Sequence, residues 1–390
     1  MIGTTRDRNL MVEKTVDLLD IPRSYYDRAV QRYESIGAWL QRPESTLAVF
    51  NPAVYSQGSF RLGTVIRPLL PGDEYDLDII CGVQARSKAD VTQKELKDLV
   101  GDELRLYAEG HHIKAPLEEC PRCWRFHYAD EVSFHIDTVP SVPEDEDVIL
   151  DLVRVGVGRD LAQHAIAITC QSHERYMVIC ADWPSGNPLG YAQWFERRFA
   201  ERALSNRKLL LREGLYVSVE AVPLYALKTP LQRAIQFLKR HRDVMFRDAV
   251  DLKPVSIIIT TLAALSYQGE EQLYETLRGV LERIPEHVQQ SSPRIANPVN
   301  PAEDFADRWK NRPELEKHFW LWYEAAIRDF NAIVSETSAS QLQKLAESRL
   351  AARMPYETAT ALLGTPVAER AAVAAPSIVV AKPPKPWSDA

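Results

Sequence analysis

The sequence predicts a mixed α+β fold with two lobes, a sheet lobe followed by a helical lobe, and a cleft between them. Three observations lead to this prediction. Polar and apolar residues alternate at 75–80, as in a half-buried strand, and helical patterns flank this run. From about Trp194 onward the pattern is predominantly helical. At roughly 100–200 residues per domain, 390 residues suffice for two packed units.

The first half of the chain predicts helices followed by strands. Apolar residues recur at helical spacing from 12 to 40, and Pro22 divides them into a short helix and a longer one that begins near Ser24. The strand at 75–80 is followed by a helix whose cap is Asp90 or Thr92. Three further short strands are expected around 112–114, 122–128 and 132–139.

The second half predicts a helical lobe and a tail. Thr229-Pro230 is typical of a cap followed by a first-turn proline, Pro254 opens another helix, and helical patterning returns at 313–350. The Ala- and Pro-rich end buries too little apolar surface to offset its ordering entropy, so we expect it to be mobile. The predicted division is a sheet lobe with N-terminal helices at 1–215, a helical lobe at 216–350 and a mobile tail at 351–390.

Composition and charge restrict the class of protein. With 47 Lys and Arg against 54 Asp and Glu, the formal net charge is −7, so no general attraction to nucleic acid or to an anionic membrane is expected. No apolar run reaches the roughly 18 residues that a membrane-spanning helix needs. The odd number of cysteines, five, and the lack of a secretion-type start favour a cytoplasmic protein without a disulfide framework.

Three aspartates on predicted strands are the candidate metal ligands. Side chains two apart on a strand share a face, so Asp76 and Asp78 project together, and Asp137 shares a face with His135 on a later strand. If the strands are neighbours, three carboxylates converge, and such like charges are usually held by a divalent cation, of which Mg²⁺ suits an open carboxylate site. The simpler alternatives are a solvent-facing strand edge for Asp76 and Asp78 and the start of a turn for Asp137.

A glycine–serine turn precedes these strands within Gln57-Gly58-Ser59. The glycine lets a polyphosphate approach the backbone closely, and exposed N–H groups with the serine hydroxyl can hold phosphate oxygens. Glycine followed by serine is weak evidence alone. Together with an Asp-x-Asp strand and a third aspartate, it predicts a site for a nucleoside polyphosphate.

This set of motifs resembles the polymerase-β-type nucleotidyltransferase superfamily and, more narrowly, the bacterial CD-NTases, relatives of cyclic GMP–AMP synthase and oligoadenylate synthase. The similar segments are 58–68, 74–78 and 134–140, and 185–195 is similar to a Ser-Asn-Pro…Gly-Tyr…Trp-Phe segment with Gly186 inserted. The helix at 231–243 resembles the helix that carries a triphosphate-binding lysine. The resemblance covers most of 20–350 and implies a polymerase-β-like lobe with an oligoadenylate-synthase-like helical lobe.

The resemblance also implies roles for single residues. The implied ligands of two Mg²⁺ ions, for which Mn²⁺ can substitute, are Asp76, Asp78 and Asp137. The implied nucleotide contacts are Gln57, Gly58, Ser59, Lys239 and Ser256. Two of these have simpler alternatives, because cations are favoured near a helix C-terminus without any ligand and serine is a common N-terminal cap.

A zinc site that includes two cysteines is a further alternative. Cys120 and Cys123 are separated by two residues, as in half of a zinc motif, and histidines flank them at His111, His112 and His127. The second half of such a motif is not evident in the sequence, and Cys123 falls within a predicted strand. We therefore do not expect zinc.

The function implied by the resemblance is condensation of NTPs into a cyclic di- or trinucleotide second messenger for CBASS antiphage signalling, with release of pyrophosphate. Implied partners are NTP substrates, a downstream effector reached through the cyclic nucleotide, and ubiquitin-transfer-like proteins that act on the C-terminus. Two alternatives stay open: nucleotidyl transfer to RNA, a small molecule or a protein on the same fold, and a nucleotide-binding regulator without catalysis.

Overall fold

The computed structural model describes residues 4–70, 73–129, 133–201, 203, 204, 208 and 228–363. Its α-helices are α1 (Thr5–Asp17), α2 (Arg23–Gln41), α3 (Gly58–Leu62), α4 (Gln93–Gly110), α5 (Glu146–Arg154), α6 (Arg159–Ala162), α7 (Pro188–Arg198), α8 (Pro230–Met245), α9 (Ser256–Ser266), α10 (Leu273–Arg283), α11 (Pro313–Ser335), α12 (Ala339–Leu350) and α13 (Tyr356–Leu362). Its strands are β1 (Pro52–Ser56), β2 (Tyr75–Val83), β3 (Glu118–Glu119), β4 (Trp124–Ala129), β5 (Ser133–Pro143), β6 (Ile166–Ile168), β7 (Ser185–Gly186), β8 (Ala296–Asn297) and β9 (Asn300–Asp304). The predicted mixed α+β fold is confirmed.

The sheet places β2 and β5 side by side. Its strand order is β1-β2-β5-β4-β3, β6 pairs with the end of β5, and β7 pairs with β6. β2 and β5 run parallel, whereas the other pairings in this sheet are antiparallel. Because residues 75–82 pair in register with 134–141, alternate side chains of the two strands lie on the same face.

Capping explains where two of the predicted helices begin. The Thr92 hydroxyl accepts a hydrogen bond from the Glu95 N–H, and the Glu95 carboxylate bonds back to Thr92, so α4 begins with a capping box. Thr229 and Gln232 form the same arrangement at the start of α8, where Pro230 occupies the first turn. Of the two predicted caps of α4, Thr92 is therefore the right one.

Buried apolar side chains form two clusters that do not follow the predicted division at 215/216. One cluster joins the sheet to α2 and α4, and it includes Leu77 and Ile136. The other contains α8 to α12 together with earlier parts of the chain, such as Val12 of α1 and Phe195 of α7. The boundary itself lies outside the described residues. The N-terminal helix α1 was assigned to the sheet lobe, but its apolar face packs with the helical cluster.

Two local predictions differ from the structure, and one strand forms that was not predicted. No strand forms at 112–114, because the chain turns there with His112 at φ 53°, and β3 lies further along. Strand β1, which sequence analysis did not predict, begins at Pro52, and a proline is tolerated at the first position of a strand. The mobile tail does not begin at 351, since α13 forms and Met354 is buried in the helical cluster. Residues 364–390 lie outside the described part of the chain.

None of the helices in the described ranges combines the length and apolarity that crossing a bilayer requires.

Candidate active site

The predicted aspartates project from two neighbouring strands. Leu77 and Ile79 are buried in the sheet cluster, so Asp76 and Asp78 emerge on the other face of β2. The register of β2 with β5 aligns Asp78 with Asp137 and Asp76 with His135. One ligand atom from each of Asp76, His135 and Asp137 lies within 4.8 Å of the other two. The structure therefore brings Asp76 and Asp137 together with a histidine that the sequence had placed on the same face, and Asp78 lies opposite Asp137 on the neighbouring strand.

The carboxylates crowd one another electrostatically. Burial, and then the charges of Asp76 and Asp137, raises the pKa of Asp78 from 3.8 to about 7. Two side chains offset part of the negative charge. Arg125 donates two hydrogen bonds of 2.7 Å to Asp137, and His135 Nε2 lies 2.9 Å from Asp76 Oδ1. Sequence analysis predicted no role for either Arg125 or His135.

This donor set fits a divalent cation. Carboxylate oxygens are the ligands that hard cations prefer, and a bound cation would offset both the burial and the carboxylate repulsion that raise the pKa of Asp78. The Asp76 side chain is 57% exposed, so water and a substrate phosphate can reach the same position. The residues that would hold the cation are Asp76, Asp78 and Asp137, with Arg125 released from its bidentate pair.

The Gly58–Ser59 turn lies against Asp78. The Gln57 N–H donates to the Asp78 carbonyl oxygen at 2.8 Å, which fixes the turn to β2, and α3 begins at Gly58. Gly58 has φ 65°, and a Cβ at this position would clash with Asp78 Oδ2. Both the backbone conformation and the close carboxylate therefore require glycine.

We expect Gly58→Ala to lower kcat/KM by about 100-fold, because its methyl group must displace a carboxylate that has to be positioned to within about 1 Å. Gly156→Ala is the matched control. Gly156 has φ 98°, and a Cβ added there would meet nothing within 4 Å, so this variant tests the backbone strain without the clash. Steady-state kinetics and thermal unfolding of both variants separate the two effects. Equal activity loss in both variants would contradict the steric argument.

A cavity of about 480 Å³ is lined by three of the predicted nucleotide contacts, from both parts of the chain. Its lining includes Ser59, Asp76, Lys239 and Ser256. Lys239 is buried on α8, and its Nζ donates to the Thr64 carbonyl oxygen at 3.1 Å. Burial, and then the charge of Arg242, lowers the pKa of Lys239 from 10.5 to about 7.

The alternatives to a phosphate role fit the structure less well. Lys239 precedes the last turn of α8, where the basic residue is Arg242, so the helix-dipole alternative does not account for its position. Val255, not Ser256, occupies the N-cap of α9. The Ser256 hydroxyl instead accepts a hydrogen bond from Arg242 Nη1 at 2.9 Å. The cap alternative is wrong, and the phosphate role of Ser256 stays a prediction.

A second cavity, of about 310 Å³, opens on the other side of the turn. Gln57, Gly58 and Asp78 line one part of it. Its apolar walls are formed by Leu62, Tyr191, Ile257 and Phe305. The β8–β9 hairpin, which sequence analysis did not predict, contributes Asn297 and Glu303, joined by a 2.7 Å hydrogen bond from the amide to the carboxylate. Aliphatic and aromatic walls with an oriented carboxylate suit a nucleobase.

Within the described ranges, Cys120 and Cys123 do not belong to a group of three potential zinc ligands. Cys120 and Cys123 face each other across a two-residue loop, with a 3.0 Å hydrogen bond from the Cys120 N–H to the Cys123 carbonyl oxygen. Across the described ranges, the acidic and histidine group on β2 and β5 is where three potential metal ligands meet, and neither cysteine belongs to it. The two residues close a hairpin between β3 and β4.

Two residues of the site were missed or left without a role by sequence analysis. Arg125 stands opposite Asp137 in the antiparallel pairing of β4 with β5. Its signal was the alternation of the 122–128 run, which would place an arginine on one face but does not reveal the neighbouring strand. His135 was placed on the right face because it lies two residues before Asp137. Its contact with Asp76 depends on the parallel register, which the sequence does not specify.

Comparisons with known proteins agree with this geometry. The family model described as cyclic GMP-AMP synthase DncV-like, nucleotidyltransferase domain, matches residues 52–140. A c-di-GMP synthase from Roseivirga ehrenbergii is 30% identical over 312 residues, which are 78% of this chain and 74% of that protein. The cyclic dinucleotide synthase CdnG from Bradyrhizobium diazoefficiens is 25% identical over 305 residues, which are 75% of this chain and 67% of that protein.

A solved structure shares the fold over nearly its whole length. The Bradyrhizobium diazoefficiens CD-NTase CdnG in complex with GTP has a TM-score of 0.63 at 20% identity, over 92% of this chain and 98% of that chain. The matched segment 52–140 contains the glycine–serine turn and all three aspartates. The chain therefore belongs to the CD-NTase family and is an enzyme of the nucleotidyltransferase class.

Proposed function

We propose that this enzyme joins two nucleoside triphosphates into a cyclic dinucleotide and releases two pyrophosphates. The observation that carries the proposal is the alignment of Asp78 with Asp137 beside the Gly58–Ser59 turn, in a chain of this family. The names of its relatives, a c-di-GMP synthase and a cyclic dinucleotide synthase, support a ring of two nucleotides and favour guanine in it.

Each transfer forms one phosphorus–oxygen bond and breaks another. A ribose hydroxyl oxygen of one nucleotide attacks the α-phosphorus of the other, the bond to the bridging oxygen breaks, pyrophosphate leaves, and the hydroxyl proton passes to water. Mg²⁺ bound at Asp76, Asp78 and Asp137 would lower the pKa of the attacking hydroxyl and stabilise the leaving pyrophosphate. Ser59 donates a hydrogen bond to a phosphate oxygen, and Lys239 offsets the charge of the triphosphate.

The two cavities explain how two nucleotides meet at one turn. The cavity with Lys239 takes triphosphate charge, and the cavity with Tyr191 and Phe305 takes a base. Both border the Gly58–Ser59 turn, so the reacting hydroxyl and phosphorus are held beside the carboxylates. Positioning of this kind supplies most of the acceleration in phosphoryl transfer, so a dedicated general base is not required. A second transfer within the linear intermediate closes the ring.

Mass spectrometry of the products tests the proposal. The full chain is incubated with Mg²⁺ and with GTP, ATP, CTP and UTP, singly and mixed, and the products are treated with phosphatase. We expect a phosphatase-resistant cyclic dinucleotide that contains guanine. No acceptor-free product, with label transferred instead to added RNA, a small molecule or a protein, would favour the alternative transfer reaction. No pyrophosphate release with any acceptor would favour a regulator without catalysis.

We also propose that the cyclic dinucleotide acts in the cytoplasm as a CBASS second messenger that activates an effector against phage. The family supports this role, and the C-terminal segment that ubiquitin-transfer-like partners would conjugate lies outside the described residues. Plating efficiency of phage on cells that express the enzyme with its neighbouring genes tests the signalling role. We expect protection with the wild-type chain and loss of protection with Asp76→Asn. Conjugation that persists after deletion of the last residues would contradict the C-terminal role.

A further inference from the structure

His135 is placed like a metal ligand rather than like a surface histidine. It lies two residues before Asp137 on the same face of β5 and opposite Asp76 on β2. Its Nε2 is 2.9 Å from Asp76 Oδ1, and it completes the group whose ligand atoms lie within 4.8 Å of one another. The side chain is 19% exposed, so it is directed into the site and not into solvent.

A second observation points to the same role. The other ring nitrogen, Nδ1, lies 3.4 Å from Glu74 Oε2. That carboxylate oxygen is itself held by His127 Nδ1 at 2.9 Å. A histidine that binds a metal through one nitrogen almost always donates the other ring N–H to a carboxylate, a backbone carbonyl or water, which fixes the ring orientation. Glu74 takes this outer position.

The donor set decides which cations suit the site. Mg²⁺ favours oxygen ligands in octahedral geometry and keeps several waters. Imidazole nitrogen is a ligand for first-row transition cations, and Mn²⁺ also accepts carboxylates. A cation between Asp76 Oδ1 and His135 Nε2 would take the place of the hydrogen bond that now joins them.

We propose that His135 is a nitrogen ligand of the catalytic cation, beside Asp76 and Asp137, and that the site therefore selects a transition cation such as Mn²⁺ over Mg²⁺. The proposal rests on the proposed metal-dependent transfer and deepens it. Glu74 is a positioning residue in this proposal, because its carboxylate acts on the cation through the ring of His135. Asp78 stays an oxygen ligand on the side of the Gly58–Ser59 turn.

Pulsed EPR of the Mn²⁺-loaded full-length protein gives a direct test. We expect electron spin-echo modulation from one ligated ¹⁴N nucleus in the wild-type protein and its loss in His135→Asn. We also expect the Kd for Mn²⁺, measured from the free-Mn²⁺ signal, to rise at least about 10-fold in this variant. The Kd for Mg²⁺, measured by competition, is expected to change by less than about 3-fold because Mg²⁺ makes little use of nitrogen ligands.

Glu74→Gln is the second variant, and it keeps the proposal testable if His135→Asn does not fold. We expect it to keep the ¹⁴N modulation while its Mn²⁺ affinity falls by about 10-fold, as for other outer partners of ligating histidines. Bound Mn²⁺ without ¹⁴N modulation in the wild-type protein, or modulation that persists in His135→Asn, would overturn the proposal and leave the proposed function standing. Absence of any bound cation, with Asp137→Asn behaving like the wild type, would overturn both.

Discussion

Replacement of Asp78 by asparagine is expected to lower kcat by at least about 1,000-fold, since the loss of one carboxylate from a cation site removes several kcal/mol of transition-state stabilisation. Asparagine keeps the size of the side chain and can still lie beside Gly58, so the turn is preserved. The change removes a negative charge from the position where burial, Asp76 and Asp137 oppose it most strongly. Of the variants considered, this one is expected to cost the most activity.

The same change should stabilise the cation-free protein. The folded state raises the pKa of Asp78 from 3.8 to about 7, so between these values it binds more protons than the unfolded chain. The free energy of unfolding contributed by Asp78 therefore falls as pH rises from about 4 to about 7. At pH 8 we expect Asp78→Asn to unfold about 3 °C higher than the wild-type protein, because the change relieves roughly 3–4 kcal/mol and 1 kcal/mol shifts Tm by about 1 °C in a chain of this length. The difference should shrink toward pH 4.

Thermal unfolding with and without Mg²⁺, alongside pyrophosphate release, measures both effects. Asp98→Asn is the control, because Asp98 is an exposed carboxylate of α4 that is paired with Lys94 and lines none of the cavities described here. We expect the control to keep wild-type activity and the wild-type response to Mg²⁺. An Asp78→Asn protein that is active, or one that is inactive and less stable than the wild type at pH 8, would contradict the assigned role.

The site was accessible to sequence analysis because strand alternation is a local property. Asp76 and Asp78 share a face whatever the rest of the chain does, and the same holds for His135 and Asp137. That the two strands are parallel neighbours, with Asp78 opposite Asp137, is a property of the sheet order that the sequence does not specify. The resemblance implied only that the three aspartates meet at one site. The cap at Thr229 was likewise local and was predicted at the right residue.

What the sequence could not show depends on contacts between distant segments. The pairing of Arg125 with Asp137 needs the β4–β5 register, and the base cavity needs a hairpin whose strands are only two and five residues long. Position along the chain also does not decide which cluster a helix packs in. Val12 belongs to the helical cluster although it precedes the sheet, because the apolar face of α1 fits α10 and α11. Amphipathic periodicity reveals that a face is buried but not what covers it.

Replacement of Lys239 by methionine is expected to raise the KM for the NTP about 100-fold with a smaller change in kcat, because it removes a charge-assisted contact of about 1.5–3 kcal/mol with a triphosphate. Methionine matches the length and flexibility of the lysine stem, so the burial in α8 is preserved. The contact with the Thr64 carbonyl oxygen is lost, and no new charge is introduced.

The pH dependence of NTP binding should show whether Lys239 contacts the triphosphate. Burial holds the pKa of Lys239 at about 7 in the nucleotide-free protein, and an incoming triphosphate favours its charged form. NTP binding by the wild-type protein should therefore take up a proton, and affinity should fall as pH rises above 7. In Lys239→Met this slope should vanish. Between pH 7 and 10.5 the unfolded chain binds more protons than the folded protein, so the contribution of Lys239 to wild-type stability rises with pH over that window. Lys239→Met should therefore be more stable than the wild-type protein at neutral pH, and this difference should narrow as pH rises.

Calorimetric titration of NTP in two buffers of different ionisation enthalpy measures the proton uptake, and thermal unfolding measures stability. Lys97→Met is the matched control, because Lys97 is also a buried lysine that donates to a backbone carbonyl, on α4 and outside both cavities. Its loss should affect stability without changing the KM or the pH slope of binding. A Lys239→Met protein that binds NTP with wild-type affinity and proton uptake would show that the cavity on α8 does not hold the triphosphate, whatever the aspartates do.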